Sequence, residues 1–298
     1  MRNLVAIIVF IFINFSAVAQ NYYDQYQKLK TGNDTTRLKK LLADWEKSNP
    51  NDPEFYVAAL NFYFSNARME IVSLGSEPPK KESFALTDSN GKPAGYLTSN
   101  VGYDREKLKT VINYANKAIQ KFPDRLDIRF GKCHILGEIG DYNNQTTEII
   151  KTVEYSKVNN NNWLWMLNKK TDDPEEFMLS TVYEYMTQLY NIEEDSLLEN
   201  MKRIGDATIK LYPKKVEILS ITAVAHLLTK SYDPALSYLL EAEKINPKDY
   251  IVLNNIAQAY KLKGDKENAI KYYELTEKYG DDQAKQQARK YIKELKKQ

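Results

Sequence analysis

One sequence pattern occurs twice in succession: VEILSITAVAHLLTKSYDPALSYLLEAEKINPKD at 216–249 is followed directly by YIVLNNIAQAYKLKGDKENAIKYYELTEKYGDDQ at 250–283. The two segments align without a gap. Among the identities 34 positions apart are Leu219 with Leu253, Ala223 with Ala257, Ala235 with Ala269, and Tyr238 with Tyr272. A period of this length is typical of proteins built from stacked helical hairpins. The repeat therefore predicts an all-α solenoid of antiparallel helix hairpins.

Each half of the second copy has the pattern of one amphipathic helix. The first half, 250–263, has apolar side chains at the spacing of a helix face, at Leu253, Ile256, Ala257 and Tyr260. Gly264 can end this helix in the left-handed conformation, and Asp265 can cap the next helix. The second half, 266–278, turns inward Ala269, Tyr272, Tyr273 and Thr276. In the first copy Pro247 ends the second helix, because proline lacks the N–H that a helix needs.

This pattern resembles the tetratricopeptide repeat (TPR) family. The family's slots for bulky, small, aromatic and turn residues are filled by Leu253, Ile256, Ala257, Tyr260, Gly264, Ala269, Tyr273, Thr276 and, from the copy before, Pro247. The first copy departs from the family at Thr222, His226 and Lys230, which stand in the leucine, aromatic and glycine slots. The resemblance implies a right-handed α-solenoid that holds a protein or peptide partner in a concave groove.

Some TPR domains grip a partner's terminal carboxylate with lysine and asparagine on successive first helices. In that pattern Asn254, Gln258 and Lys261 fall on positions expected to face the groove. The preceding copy offers Ser220, Val224 and Leu227 there, so the clamp is incomplete. The resemblance implies a groove wall at these positions and does not imply chaperone-tail binding.

Weaker matches to the repeat lie N-terminal to the two regular copies. Ala118 and Pro123 repeat the spacing of Ala242 and Pro247, and Gly140 repeats the turn at Gly264. We expect hairpins over about 35–74, 104–157 and 173–212, and a capping helix over 284–298. Stacking of at least three repeats is what gives such arrays a stable core. Residues 20–298 are thus expected to form one TPR-like solenoid.

The first nineteen residues have a different character. Arg2 precedes the apolar run Leu4–Ile13, and small residues at Ala17 and Ala19 follow. This order is that of a secretory signal peptide, with cleavage expected after Ala19. An uncleaved membrane anchor is the alternative, although the apolar run is short for a bilayer. We therefore expect an exported protein, periplasmic or associated with an outer membrane, without a membrane span once the leader is removed.

Composition and motifs exclude several classes of function. The chain is 43% hydrophobic and 28% charged, which is typical of a folded protein. Its net charge of +2 does not indicate the basic surface that a nucleic-acid-binding protein needs. Cys133 is the single cysteine, so no intramolecular disulfide can form. No phosphate loop, dinucleotide fingerprint or nucleophile elbow appears in the sequence. We expect neither an enzyme nor a cofactor or metal site.

Residues 75–103 lack the apolar spacing that is typical of a helix face. Glu77-Pro78-Pro79 is expected to end a long helix that starts near Pro53. The runs 83–87 and 94–98 flank Asn90-Gly91, which is a hairpin signal because both residues tolerate positive φ. A short β-hairpin is therefore expected near 83–98. It is either a decorated loop or a lid or contact for a partner.

A second irregular stretch contains two tryptophans. The asparagine run 159–162 cannot lie inside a helix, because its side chains compete for backbone hydrogen bonds. Trp163 and Trp165, which follow it, either pack between two groups of hairpins or form an aromatic platform for a partner.

Three hypotheses for function remain open. The first is an exported, non-enzymatic TPR scaffold that binds a protein or peptide. The second is a glycan- or peptide-binding module of an outer-membrane nutrient-uptake system, and the least favoured is an enzyme built on the insert and the tryptophan segment. The identity of the partner and the oligomeric state are left open by the sequence.

Overall fold

The computed structural model describes residues 21–32, 34–78 and 82–297. Its helices are α1 (residues 21–31), α2 (Thr35–Ser48), α3 (Pro53–Ala67), α4 (Arg105–Lys121), α5 (Leu126–Glu138), α6 (Tyr142–Val158), α7 (Pro174–Asn191), α8 (Leu197–Leu211), α9 (Val216–Leu228), α10 (Tyr232–Ile245), α11 (Tyr250–Lys263), α12 (Lys266–Tyr279) and α13 (Asp282–Lys297). The strands are β1 (Arg68–Gly75), β2 (Phe84–Thr87), β3 (Pro93–Tyr103), β4 (Leu164–Trp165) and β5 (Lys169–Lys170). The predicted all-α class with a small β insert is confirmed.

The chain divides into two compact units. The N-terminal unit comprises the residues up to 140 together with 164–169, and the C-terminal unit comprises 141–163 and the residues from 170 onward. Each unit has its own apolar core, one around Trp45 and Phe55 and the other around Leu253 and Tyr273.

The C-terminal unit contains the regular hairpins. Helices α9 and α10 form the first hairpin, and α11 and α12 form the second. Gly264 ends α11 at φ +87°, and the Asp265 side chain accepts the Asn268 N–H to cap α12, as predicted. Lys230, in the glycine slot of the first copy, takes the same left-handed conformation at φ 60°. The turn geometry of the repeat is therefore kept even where its glycine is missing.

Buried polar contacts hold the helices of the N-terminal unit in place. The Trp45 indole N–H donates to Asp52 Oδ2 at 2.9 Å, and the other oxygen of Asp52 accepts the Glu54 N–H to cap α3. Arg125 is buried and bonds Glu54 and Asp127, each at 2.7 Å. Glu54 Oε1 also accepts the Leu167 N–H at 2.7 Å, so this ion cluster fixes the 164–169 segment within the unit.

The insert is a three-stranded antiparallel sheet of order β1-β3-β2 rather than a hairpin alone. The predicted strands at 83–87 and 94–98 are present as β2 and part of β3. The prediction that the helix from Pro53 continues to Pro78 is wrong, because α3 ends at Ala67 and β1 begins at Arg68. Long-range pairing of Arg68–Gly75 with 96–103 supplies backbone hydrogen bonds that local helix propensity cannot outweigh.

The asparagine run ends a helix, as its composition indicates. Helix α6 stops at Val158, and Asn160 and Asn161 follow at φ 55°. Asparagine tolerates this left-handed region better than most residues.

The leader lies outside the described residues, so its cleavage stays a prediction. No helix in the described ranges is both long enough and apolar enough to cross a bilayer.

Candidate functional site

A groove of about 390 Å³ runs along the first helices of three successive hairpins in the C-terminal unit, α7, α9 and α11. Helix periodicity decides which side chains reach it, since residues three, four and seven apart share one face. The lining comprises Tyr183, Thr187, Tyr190, Asn191, Val216, Glu217, Ser220, Ile221, Val224, Asp249, Ile251, Val252 and Asn255. The groove therefore belongs to the repeat itself and not to the irregular segments.

The wall of the groove is mainly apolar. Tyr183 and Tyr190 stand on α7 and are exposed, and Ile251 at the start of α11 is 56% exposed. Ile221 and Val224 contribute the middle of the wall from α9. Exposed apolar and aromatic side chains in a concave surface are what bind an apolar segment of a partner, because desolvation there is favourable.

The polar groups of the groove carry negative charge or no charge. The Asn255 Nδ2 donates to Ser220 Oγ at 3.3 Å, so α9 and α11 are bridged within the groove. Glu217 lies in the first turn of α9, and Asp249 caps α11 by accepting the Ile251 and Val252 N–H groups. The described lining contains no lysine or arginine.

An acidic recess of about 200 Å³ adjoins this groove and shares Tyr190 and Asn191 with it. Its lining adds Glu193, Glu194 and Asp195 from the turn between α7 and α8. Leu228 on α9 is exposed at the same place. The combined surface offers apolar contact beside a concentration of carboxylates, which favours a partner with apolar and basic side chains.

The three predicted residues on α11 do not line this groove. The groove lining includes Asn255, the neighbour of Asn254, and Asn254 is itself half-buried, so its contact with a partner stays a prediction. Gln258 and Lys261 turn toward the following helices. Gln258 Oε1 accepts the Tyr273 hydroxyl at 2.8 Å, and Lys261 Nζ lies 4.0 Å from the centre of the Tyr291 ring on α13.

Burial supports the Tyr273–Gln258 contact. A tyrosine hydroxyl is protonated at neutral pH in any case, and desolvation raises the pKa of Tyr273 further, so it acts as the donor in this contact. Gln258 is half-buried and makes this internal contact, and its role in binding a partner stays a prediction.

The tryptophans do not form an exposed pair. Trp163 is fully buried at 0% exposure, close to the Tyr155 ring, and its Nε1 donates to Asn161 Oδ1 at 3.3 Å. A partner cannot reach its ring, so the platform prediction is wrong for Trp163. Trp165 is partly buried in β4 and belongs to the N-terminal unit.

The N-terminal unit has an open cavity of a different character, with a volume of about 770 Å³. Its lining comprises Thr35, Thr36, Lys39, Lys40, Ala43, Phe62, Tyr63, Asn66, Lys107 and Thr110. Lys107 Nζ donates to the Asn66 carbonyl at 3.0 Å, and no acidic residue is in the described lining. The cavity is thus cationic and rich in hydroxyl groups.

No group of three or more histidine, cysteine or carboxylate side chains arranged for a metal occurs in the part of the chain that the structure describes. Cys133 is buried in α5.

Two hairpins of identical period, a left-handed turn between their helices and a groove along successive first helices are now established. The chain has a TPR-like fold. The profile of the family described as Regulator of microtubule dynamics protein 1-3 matches residues 214–298, which is the regular end of the array. Comparison with curated protein sequences gives no match.

Solved structures similar to this TPR-like chain include that of YrrB, described as a TPR protein with an unusual peptide-binding site. YrrB is 14% identical over 84% of this chain and 97% of its own, with a TM-score of 0.41. The C-terminal part of a TPR repeat-containing protein from Cytophaga hutchinsonii is 13% identical over 86% of this chain and 78% of its own, also with a TM-score of 0.41. MamA is 16% identical over 61% of this chain and 96% of its own, with a TM-score of 0.37.

Sequence reasoning missed the whole α7 wall of the groove. Tyr183, Thr187 and Tyr190 are spaced four and three apart, which is the signal of one helix face. Ser220 and Val224 were identified as the counterparts of the clamp positions, and both line the groove. Leu227, the third counterpart, is buried and does not line the groove.

Proposed function

We propose that this chain is an exported, non-enzymatic scaffold that holds a peptide segment in the groove of α7, α9 and α11. The observation that carries the proposal is the chemistry of that groove, with exposed Tyr183, Tyr190 and Ile251 beside Glu217 and the acidic recess. Stacked helical hairpins create extended concave surfaces of the kind used for binding. The preferred segment carries apolar side chains together with lysine or arginine.

The peptide preference can be tested by selection from a random peptide library displayed on phage. We expect enrichment of sequences that combine aromatic or aliphatic residues with lysine or arginine. Ile251→Lys should weaken binding of an enriched peptide by roughly tenfold, because it places a charge on the apolar wall. Leu262→Lys is the matched control, since Leu262 is an exposed apolar residue of the same helix that lies outside the groove lining.

Two results would contradict the proposed groove. One is enrichment of acidic peptides, and the other is an equal loss of affinity in both lysine variants. Glu217→Lys adds an independent check, since it should weaken selection for basic side chains and leave the apolar preference intact.

Export to the periplasm or the outer membrane is supported by Arg2, the apolar run Leu4–Ile13 and the small residues up to Ala19. Intact mass spectrometry of the chain recovered from the cell envelope should give a protein that begins at Gln20. A mass that retains Met1, or recovery from the cytosol alone, would be evidence against processing and export.

A glycan-binding module of a nutrient-uptake system is the second candidate, and the cavity of the N-terminal unit favours it. Lys39, Lys40 and Lys107 would attract the carboxylates of an acidic sugar, and the threonine hydroxyls and Asn66 would meet its hydroxyl groups. Isothermal calorimetry should detect trigalacturonate and not the neutral maltotriose. Lys39→Glu should abolish the heat of trigalacturonate binding. Lys47→Glu is the control and should leave this heat unchanged, because Lys47 lies on the same helix but outside the cavity. If the wild-type chain gives no heat with trigalacturonate, this candidate function is ruled out.

A further inference from the structure

The sheet of the insert presents an apolar face to solvent. Side chains of a strand alternate between its two faces, and the antiparallel register aligns those of β1, β2 and β3. In that register Leu74 lies beside Leu97, and Leu97 lies beside Phe84, so the three form a row across the sheet. We call the side of the sheet that carries this row the apolar face.

Five residues of the apolar face are strongly exposed. The exposed fractions are 65% for Val72, 68% for Leu74, 80% for Phe84, 42% for Leu86 and 50% for Val101. Taking on the order of 150 Å² for a fully exposed apolar residue, these fractions leave about 450 Å² of apolar surface on one face. A contiguous patch of this size on a folded chain often marks an interaction site.

The charged side chains beside this face are few, of both signs and confined to one end. Arg68 and Glu70 lie on it at the end nearest α3, and Glu70 Oε1 accepts the Ser99 hydroxyl at 2.8 Å. At the same end Tyr103 lies opposite Arg68, and its hydroxyl donates to Glu138 Oε2 of α5 at 3.5 Å. The rest of this face, on the strands that the structure describes, consists of apolar residues, Ser99 and Gly95. An anionic membrane surface attracts clustered lysine or arginine, and a strongly charged protein needs opposite charge, so neither is favoured here.

We propose that a second copy of this chain covers the apolar face, with the two sheets packed face to face about 10 Å apart. A symmetric pair uses the same patch on both chains, which suits a face that is mainly apolar and carries charges of both signs only at one end. Two such faces would bury about 900 Å² from the five residues alone. With Leu97 and the strand backbones, the area reaches the roughly 1,000 Å² that a specific interface needs.

This area is small for a dimer and implies reversible association. The pairing is independent of the peptide groove proposed above, because the sheet and the groove belong to different units. A test of one therefore leaves the other standing.

Adjacent residues on opposite faces of the sheet provide matched variants. Phe84→Lys and Leu74→Lys place a charge on the apolar face. Ala85→Lys and Ser73→Lys place the same charge on the opposite face, one position along each strand. All four positions are exposed, so the fold should survive, and circular dichroism with thermal unfolding verifies that it does.

Sedimentation equilibrium of residues 20–298, over roughly 1 to 500 µM protein, measures the association. We expect a monomer–dimer equilibrium that Phe84→Lys and Leu74→Lys each weaken by at least roughly tenfold. Ala85→Lys and Ser73→Lys should leave it unchanged.

Three results would overturn the proposal. The first is a monomer at every concentration, and the second is equal weakening by all four variants, which would place the contact elsewhere. The third is flotation of the wild-type chain with vesicles of phosphatidylcholine and phosphatidylglycerol that Phe84→Lys abolishes, which would make lipid the occupant.

Discussion

Replacing Gly205 by alanine would drive a methyl group into the side chain of Thr222. Gly205 lies in α8 and Thr222 in α9, and a Cβ added at Gly205 would stand 2.0 Å from Thr222 Oγ1 and 2.8 Å from its Cβ. Thr222 is fully buried, and its hydroxyl donates to the Ile218 carbonyl at 2.6 Å, so it has little freedom to move aside. The two helices therefore approach at this point only because residue 205 has no side chain.

Two opposing effects set the change in the free energy of unfolding that Gly205→Ala causes. Alanine stabilises a helix interior by about 1 kcal/mol relative to glycine. Overpacking a closed core costs about 1–3 kcal/mol, and contacts this short belong at the upper end of that range. We expect Gly205→Ala to lower the free energy of unfolding by about 2 kcal/mol, which lowers the Tm by roughly 4–8 °C.

Urea unfolding followed by circular dichroism measures this free energy, and a double-mutant cycle identifies its source. Thr222→Ala removes Oγ1 and Cγ2, so Gly205→Ala should cost at least about 1 kcal/mol less in that background. Gly131→Ala in α5 is the matched control, because nothing lies within 4 Å of its added Cβ, and it should stabilise by up to about 1 kcal/mol. A neutral or stabilising Gly205→Ala, or a coupling near zero, would refute the close approach.

Five further substitutions test the repeat, a buried histidine and the buried charges. Lys230→Gly should stabilise the protein by about 1 kcal/mol in thermal unfolding, because Lys230 is held at φ 60°, whereas Gly264→Lys should destabilise it by a similar amount. Burial lowers the pKa of His226 despite the nearby Asp206, so as the pH falls His226 is protonated in the unfolded chain at a higher pH than in the folded one. The free energy of unfolding should therefore decrease as the pH drops below about 6.5. His226→Phe should reduce that decrease, measured as the difference between urea midpoints at about pH 7.5 and 5.5. Arg125→Met should cost about 3–5 kcal/mol in urea unfolding, because it leaves the buried Glu54 and Asp127 carboxylates without their partner. Arg37→Met, which breaks an exposed ion pair with Asp34, should change stability by less than about 1 kcal/mol in the same assay.

The repeat was readable from local pattern because its information is local. Apolar spacing along one helix, a glycine at the turn and an aspartate cap are set by residues within a few positions of one another. The same reasoning failed at β1. Met69–Leu74 follows a good helix with no proline or glycine between them, and its strand state depends on pairing with residues about thirty positions away. Long-range pairing of this kind leaves only a weak trace in a single strand, here the β-branched Ile71 and Val72.

The candidate site, like the fold, could be predicted only where local sequence pattern decides it. Part of the α9 face could be read from the repeat, since Ser220 and Val224 line the groove, whereas Leu227, named with them, is buried. On α11 the lining includes Asn255 and not the expected Asn254, because the side chains that reach the groove depend on how neighbouring helices pack. Trp163 illustrates a further limit, since composition marks a tryptophan as conspicuous without showing whether its ring is buried or exposed.

The sequence by itself determined the class of fold, the hairpin period, the turns at Gly140 and Gly264, and the cap at Asp265. These features are stabilised within one or two turns of chain, so the residues that form them also encode them. Tertiary structure alone decided the acidic and apolar chemistry of the α7–α9–α11 groove and the apolar face of the sheet. Both surfaces are assembled from elements separated in sequence, and their exposure is a property of how those elements pack.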